Sequence, residues 1–164
     1  MTSPQTSGGG AALKDAPGFR IWPPVALGVP LLAGVVMSKL LGDPFPIPRA
    51  LRPVGWALVA AFTLWNGWTL ALMARGQTAF LPGGATRAIL DRGPFGVSRN
   101  PLYLGLIALD VALALLVPSA WALAAVPVGV LALTWGAILP EERYLRAKFG
   151  AEYEDYTRRV RRWL

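Results

Sequence analysis

Residues 101–139 read PLYLGLIALDVALALLVPSAWALAAVPVGVLALTWGAIL, thirty-nine residues with a single charged side chain, Asp110. The stretch breaks at Pro118-Ser119, where the missing proline N–H cannot continue a helix. Each half approaches the roughly 20 apolar residues that a helix needs to cross a bilayer. Pro101 suits the first helical position, and the first half ends before Pro118. The second half starts at Ser119 or Ala120 and reaches Leu139. With almost nothing between them, the two halves are expected to form a tight antiparallel hairpin of membrane helices.

Working outward, two more apolar runs precede this pair. Ile21 to Leu41 is long enough to span, with Pro23 and Pro24 at its start and Pro30 inside it. Gly42-Asp43-Pro44-Phe45-Pro46-Ile47-Pro48 is a stiff turn, because residues with fixed or restricted backbones cannot extend a helix. A further run covers Val54 to Ala74. The expected architecture is therefore all-α and polytopic: four transmembrane helices, a helix-three/helix-four hairpin and a charged C-terminal segment. Residues 1–18, rich in Gly, Ser, Thr and Pro, read as a disordered tail without the basic and apolar regions of a cleaved signal peptide. Residues 19–164 read as one integral membrane domain.

Composition supports this class and removes others. The chain has 164 residues, 54% of them hydrophobic, and a mean hydropathy of +0.46, too apolar for an ordinary soluble fold of this size. There is no cysteine and no histidine, so thiolate nucleophiles, disulfides, the usual zinc constellations and the common neutral-pH base are absent. No metal is expected. A net charge of +7 does not point to nucleic acid, because the basic residues sit in particular loops between apolar spans. With four crossings, thirteen of the sixteen Lys and Arg fall on one side, in the N-terminal tail, the loop 75–100 and the C-terminal segment. Only Lys39, Arg49 and Arg52 fall on the other. The positive-inside rule makes the first side cytoplasmic.

Polar chemistry gathers on that side. Arg75 to Arg99 is the longest interior polar segment, with four arginines, Pro82-Gly83-Gly84 and Gly93-Pro94, and is a candidate binding loop. Past the last span, Leu145, Phe149, Tyr153, Tyr156, Val160 and Trp163 recur at helical spacing, which predicts an amphipathic cytoplasmic helix that Gly150 is able to interrupt. Arg99 to Gly105 reads equally as a plain helix start, and Glu141-Glu142 as an ordinary membrane exit whose acids suit a helix N-terminus. Their convergence on one surface, brought about by the intervening hairpin, favours a site. Asp110 and Asn66 should face the bundle interior, either as parts of an acceptor pocket or paired with each other or with an indole. The tryptophans fit packing and interfacial anchoring.

Gly93-Pro94-Phe95, then Arg99-Asn100-Pro101-Leu102-Tyr103-Leu104-Gly105, an apolar hairpin, Glu141-Glu142-Arg143-Tyr144-Leu145, Phe149-Gly150 with Tyr153 and Tyr156, and Arg159-Val160 together resemble the isoprenylcysteine carboxyl methyltransferase and phospholipid methyltransferase superfamily. The likeness covers roughly residues 75–164. Asn100 stands where eukaryotic members carry His, a change that many bacterial relatives share. The resemblance implies a multi-helix membrane methyltransferase that binds S-adenosylmethionine on its cytoplasmic side and releases S-adenosylhomocysteine. It assigns Asn100, Pro101, Tyr103, Leu104, Gly105, Glu141 and Glu142 to the cofactor, with Arg99, Glu142 and Arg159 as catalytic groups. It also implies a lipid or prenylated acceptor, with carboxylate O-methylation favoured over amine N-methylation. The residue chemistry is compatible: a sulfonium and an ammonium want acids, and a carboxylate wants donors such as Asn100, Tyr103 and the free N–H groups at a helix start. An acceptor carboxylate needs only orientation, for which Arg99 and Arg159 offer planar forks. The competing reading from a different class is a non-catalytic membrane protein, such as a transporter subunit or assembly factor, on the same scaffold.

Overall fold

A computed structural model describes residue 18 and residues 20–76 and 88–164. The expected tail over 1–17 and the loop segment 77–87, with Pro82-Gly83-Gly84, lie outside the described residues. Among the described residues the structure is entirely helical. Helix α1 (Pro23–Leu41) starts with two prolines in its first turn and stops at Gly42, whose φ of +71° favours glycine. A 3-10 turn at Arg49–Leu51 leads into α2 (Arg52–Arg75), and a short α3 (Pro94–Val97) precedes α4 (Pro101–Leu116). Then come α5 (Ala120–Leu133), a π-helical turn at Thr134–Ile138, α6 (Leu139–Phe149) and α7 (Ala151–Arg159).

Three helical stretches are long and apolar enough to cross a membrane: Pro23–Leu41, Arg49–Arg75 and Ala120–Phe149. Pro101–Leu116 is apolar but shorter, and its 16 residues extend about 24 Å at 1.5 Å per residue. Their surfaces are largely hydrocarbon, with Leu40 and Leu64 about three-quarters exposed at 76% and 75%. A patch of this extent is untenable in water and natural in lipid. Helix α1 packs chiefly along α5, and α2 along α4. The α1/α5 approach is close, since a Cβ on Gly34 would lie 2.5 Å from the Ala122 Cα. Small residues at such crossings let backbones meet, which is how membrane helices gain packing energy without a hydrophobic drive.

The two ends of the bundle differ in their polar wiring. At one end Asp43, after α1, accepts hydrogen bonds through Oδ1 from the Ala120 N–H (2.8 Å) and the Trp121 N–H (3.3 Å). Ser38 Oγ donates to Asp43 Oδ2 at 2.6 Å, and the Trp121 indole donates to the Gly42 carbonyl at 2.9 Å. Ser119 completes the cap of α5 by accepting from the Ala122 N–H at 3.1 Å. The opposite end carries the start of α4, the π turn, α6 and the C-terminal segment.

The C-terminal region departs from expectation. Pro140 looks like the stop of the last span, yet the helix runs on from Ala120 to Phe149. The π turn explains this. Pro140 has no N–H for the carbonyl four residues back, Gly136, and the wider turn carries the chain past the proline. The freed Gly136 carbonyl accepts instead from the Arg20 N–H (2.8 Å) and the Ile21 N–H (3.2 Å), which docks the chain ahead of α1 against the π turn. Gly136 is needed there, since a Cβ would sit 2.6 Å from the Ile21 Cβ. The expected amphipathic helix is interrupted at Gly150, with φ of +52°, as that residue allows, and it ends at Arg159. Val160 is extended, so Trp163 leaves the stripe and packs against the cluster formed by Ala26, Leu27, Tyr103, Leu133, Ala137 and Ile138, whereas Tyr153, Tyr156 and Val160 pack with Ile89, Leu145 and Phe149.

Candidate functional site

The start of α4 is held by the C-terminal strand of chain that follows α7. The Arg99 N–H donates to the Arg161 carbonyl at 2.9 Å. Ser98 Oγ (3.1 Å) and Asn100 Nδ2 (3.0 Å) both donate to the Arg162 carbonyl, and the Asn100 N–H donates to Ser98 Oγ at 3.1 Å. Ser98 and Asn100 are buried, so these bonds replace water fully and fix the turn before Pro101. Tyr156 Oη reaches back to the Phe95 carbonyl at 2.7 Å and locks α7 over α3. Burial raises the pKa of Tyr156, and burial followed by the nearby Glu142 raises that of Tyr153, so both phenols stay protonated.

The acidic pair is divided between two tasks. Tyr103 Oη donates to Glu141 Oε2 at 3.1 Å, joining the first turn of α4 to the first turn of α6. Glu142, only 7% exposed, takes a bidentate grip from Arg162, whose Nε and Nη2 each lie 2.8 Å from its two oxygens. Arg99 Nη1 stands 3.4 Å from Glu142 Oε1, so one buried carboxylate serves two guanidiniums. The hydrogen bond to Glu142 raises the already high pKa of Arg162 further. A buried acid held by two such forks is fixed in place and largely neutralised.

Of the residues expected to matter, the structure brings together Arg99, Asn100, Pro101, Tyr103, Glu141 and Glu142. Leu104 follows on the first turn, its N–H donating to the Asn100 carbonyl at 2.9 Å. Gly105 lies against Asn66: a Cβ there would fall 2.1 Å from Asn66 Oδ1. Asn66 Nδ2 donates to the Leu102 carbonyl at 3.4 Å, and the Trp65 indole to the Pro101 carbonyl at 2.8 Å. The anticipated pairing of Asp110 with Asn66 or an indole is not found. Asp110 is buried with no hydrogen-bond partner among the described residues, since Asn66 and Trp65 turn to backbone carbonyls nearer the start of α4. Arg159 is not at the acidic pair either; it is exposed and lies 3.5 Å from Asp91. Arg162 takes the place beside Glu142 that sequence reasoning did not foresee.

Among the described residues two buried atoms here lack hydrogen-bond partners: Arg99 Nε and Asn66 Oδ1. No side chain among the described residues caps α4, and Pro101 contributes no donor, so the Leu102 and Tyr103 N–H groups are the open ones at the helix start. One oxygen of Glu141 is engaged by Tyr103, and the other makes no hydrogen bond among the described residues. The arrangement thus offers an acid for a cationic group, and an unpartnered guanidinium nitrogen with an open helix start for an anionic one. Among the described residues no cluster of acids suits a metal ion.

An uncharacterized protein of Haemophilus influenzae is 38% identical over 63 residues, which are 38% of this chain and the whole of that protein. No solved structure matches the chain. The profile of the phospholipid methyltransferase family matches residues 51–152, a stretch that includes α2, α4, α5, the π turn and α6. The chain belongs to the phospholipid methyltransferase family, within the isoprenylcysteine carboxyl methyltransferase-like superfamily.

Proposed function

We propose that this chain transfers a methyl group from S-adenosylmethionine to a lipid-like or isoprenoid acceptor at the cytoplasmic membrane surface, with a carboxylate favoured over an amine. The observation that carries the reading is the Tyr103–Glu141 contact, which sits beside a buried Glu142 already neutralised by Arg99 and Arg162. We read the bundle as four crossings, with α4 and α5 as a hairpin and the site end in the cytoplasm of a bacterial inner membrane.

When bound, S-adenosylmethionine supplies a methyl carbon on a sulfonium, and displacement leaves the neutral thioether S-adenosylhomocysteine. The protein's work is then alignment, since in-line transfer with a good leaving group needs no covalent catalyst. Glu141 offers its free oxygen to the cofactor's positive groups, and Tyr103 orients that carboxylate. The open first turn of α4 offers the Leu102 and Tyr103 N–H groups to the cofactor carboxylate, with Pro101, Leu104 and Gly105 shaping that turn. Asn100 positions the site by holding the C-terminal backbone. Arg99 presents its unpartnered Nε to an acceptor carboxylate, Arg159 stands further out as a second fork on the acceptor side, and Asp110 and Asn66 line the interior path from the bilayer. A carboxylate oxygen attacks as it stands, with no proton to move. The family's description supports a second reading in which the acceptor is a phospholipid amine. Glu141 then takes the proton that the amine loses.

Calorimetric titration of the full-length protein in detergent with S-adenosylhomocysteine tests the reading. Binding should weaken about 10- to 100-fold in Glu141→Gln, the scale of a lost hydrogen bond to a charged group. A helical, folded protein that gives no binding heat favours the non-catalytic scaffold instead. Mass spectrometry of lipid products formed from methyl-labelled donor separates the acceptors: an alkali-labile methyl ester supports the carboxylate, and an alkali-stable methylamine supports the amine.

A further inference from the structure

A cavity of about 240 Å³ opens on the outer flank of the π turn and α6, lined by Arg20, Trp135, Leu139, Glu142, Arg143 and Arg146. Its wall on the N-terminal side exists because Pro140 leaves the Gly136 carbonyl free to dock Arg20 and Ile21. The charges around it do not balance. Both oxygens of Glu142 are taken by Arg99 and Arg162, and Arg146 is paired with Glu154. Arg20 and Arg143 have no ion-pair partner among the described residues, so two guanidiniums face the cavity uncompensated. Beside them Trp135, 60% exposed, and Leu139 continue onto the lipid-facing surface of the spanning helix Ala120–Phe149. The space is below the roughly 300–1,000 Å³ typical of pockets that enclose a whole drug- or cofactor-sized molecule. It suits a head group whose chains remain in the bilayer.

We propose that this cavity binds the phosphodiester head group of a net-anionic bilayer lipid, with Arg20 and Arg143 as its ligands and the Trp135–Leu139 wall against its first apolar carbons. Arginine suits such a ligand because its planar fork matches phosphate oxygens. A zwitterionic head group fits less well, because no acid at the cavity is free to receive an ammonium. The lipid is a bound partner distinct from the methyl acceptor, so the site does not depend on the catalytic reading.

Native mass spectrometry of the full-length protein released from micelles doped with dioleoyl phosphatidylglycerol or dioleoyl phosphatidylcholine is the test. One phosphatidylglycerol should be retained in preference to phosphatidylcholine, and Arg20→Gln and Arg143→Gln should each weaken retention about fivefold, the scale of one basic residue near an anionic surface. Pro140→Ala changes no charge but restores an N–H to Gly136, and it should weaken retention by releasing Arg20. Titration of the Arg20→Gln/Arg143→Gln protein with S-adenosylhomocysteine should match the parent. Equal retention of the two lipids, or no effect of the arginine substitutions, overturns the proposal. So does displacement by inorganic phosphate alone, which assigns the site to a free anion, and so does loss of S-adenosylhomocysteine binding in the double variant, which assigns the arginines to the methyl-donor pocket. Arg143→Gln is at an exposed position and keeps the test open where substitution at residue 20 impairs folding.

Discussion

The two ends of the helix bundle solve the same problem in opposite ways. At the Asp43 end, a carboxylate, a serine hydroxyl and an indole terminate α1 and start α5, and each of these groups has a partner. At the Glu142 end, buried charge is concentrated, and Arg99 Nε and Asn66 Oδ1 are left without hydrogen-bond partners among the described residues. Buried polar atoms are normally satisfied, because an unmade hydrogen bond costs about 1–3 kcal/mol. The contrast teaches that the site end carries donors and acceptors arranged for something other than the fold.

The comparison breaks first at Glu142. Replacing it with alanine leaves Arg99 and Arg162 facing each other around an apolar gap, and we expect a loss of roughly 3–5 kcal/mol, read by thermal unfolding in micelles. Next is Gly105→Ala, whose methyl would collide with Asn66 and cost roughly 1–3 kcal/mol by overpacking. Because the clash is with the Asn66 side chain, adding Asn66→Ala should recover most of that loss, a coupling that a double-mutant cycle measures. Tyr103→Phe removes one hydrogen bond to Glu141 and should cost about 1–2 kcal/mol, with weaker S-adenosylhomocysteine binding as its sharper signature.

The smallest effect belongs to the other end. Asp43→Asn should lower the melting temperature slightly and leave S-adenosylhomocysteine binding unchanged. The Ser38 hydrogen bond, helped by the Trp121 and Ala120 N–H groups, lowers the Asp43 pKa below its ordinary 3.8. A depressed carboxylate contributes stability above that ordinary value and loses it as pH falls through the lowered one. The difference in melting temperature between parent and Asp43→Asn should therefore be full at neutral pH and close as the pH drops below 3.8. An activity change in this variant would erase the distinction between the two ends.

Much of this was legible in the sequence, for identifiable reasons. Apolar runs ended by Gly42 and Pro118 place helices well, and Gly150 marks the break between α6 and α7, since these residues act on the backbone locally. The approach of Tyr103 to the acidic pair follows from a helix going up and another coming back. The π turn was hidden because Pro140 reads as a stop, and only the three-dimensional arrangement shows a second segment ready to use the carbonyl that proline frees. Arg162 was hidden for a related reason. A helical stripe drawn through to Trp163 leaves the arginines elsewhere around one helix, whereas the chain becomes extended at Val160 and returns to the start of α4, where the Ser98 and Asn100 side chains donate to the Arg162 carbonyl. Asp110 was placed inside correctly, but its lack of a partner depends on which neighbours Asn66 and Trp65 prefer.

The π turn has a consequence for how this chain tolerates insertions and deletions. A π turn holds one residue more than an α turn and absorbs the loss of one residue by closing as α, whereas each residue of an α-helix advances the azimuth by about 100°, so removing a single residue within Ala120–Leu133 would swing everything downstream by more than a quarter of a revolution. Glu141 would rotate off Tyr103, and Glu142 off its two arginines, while hydropathy and overall length would scarcely change. A one-codon loss in this segment should be far more damaging than the same loss in the chain between Gly42 and Pro48, where no downstream helical phase has to be kept.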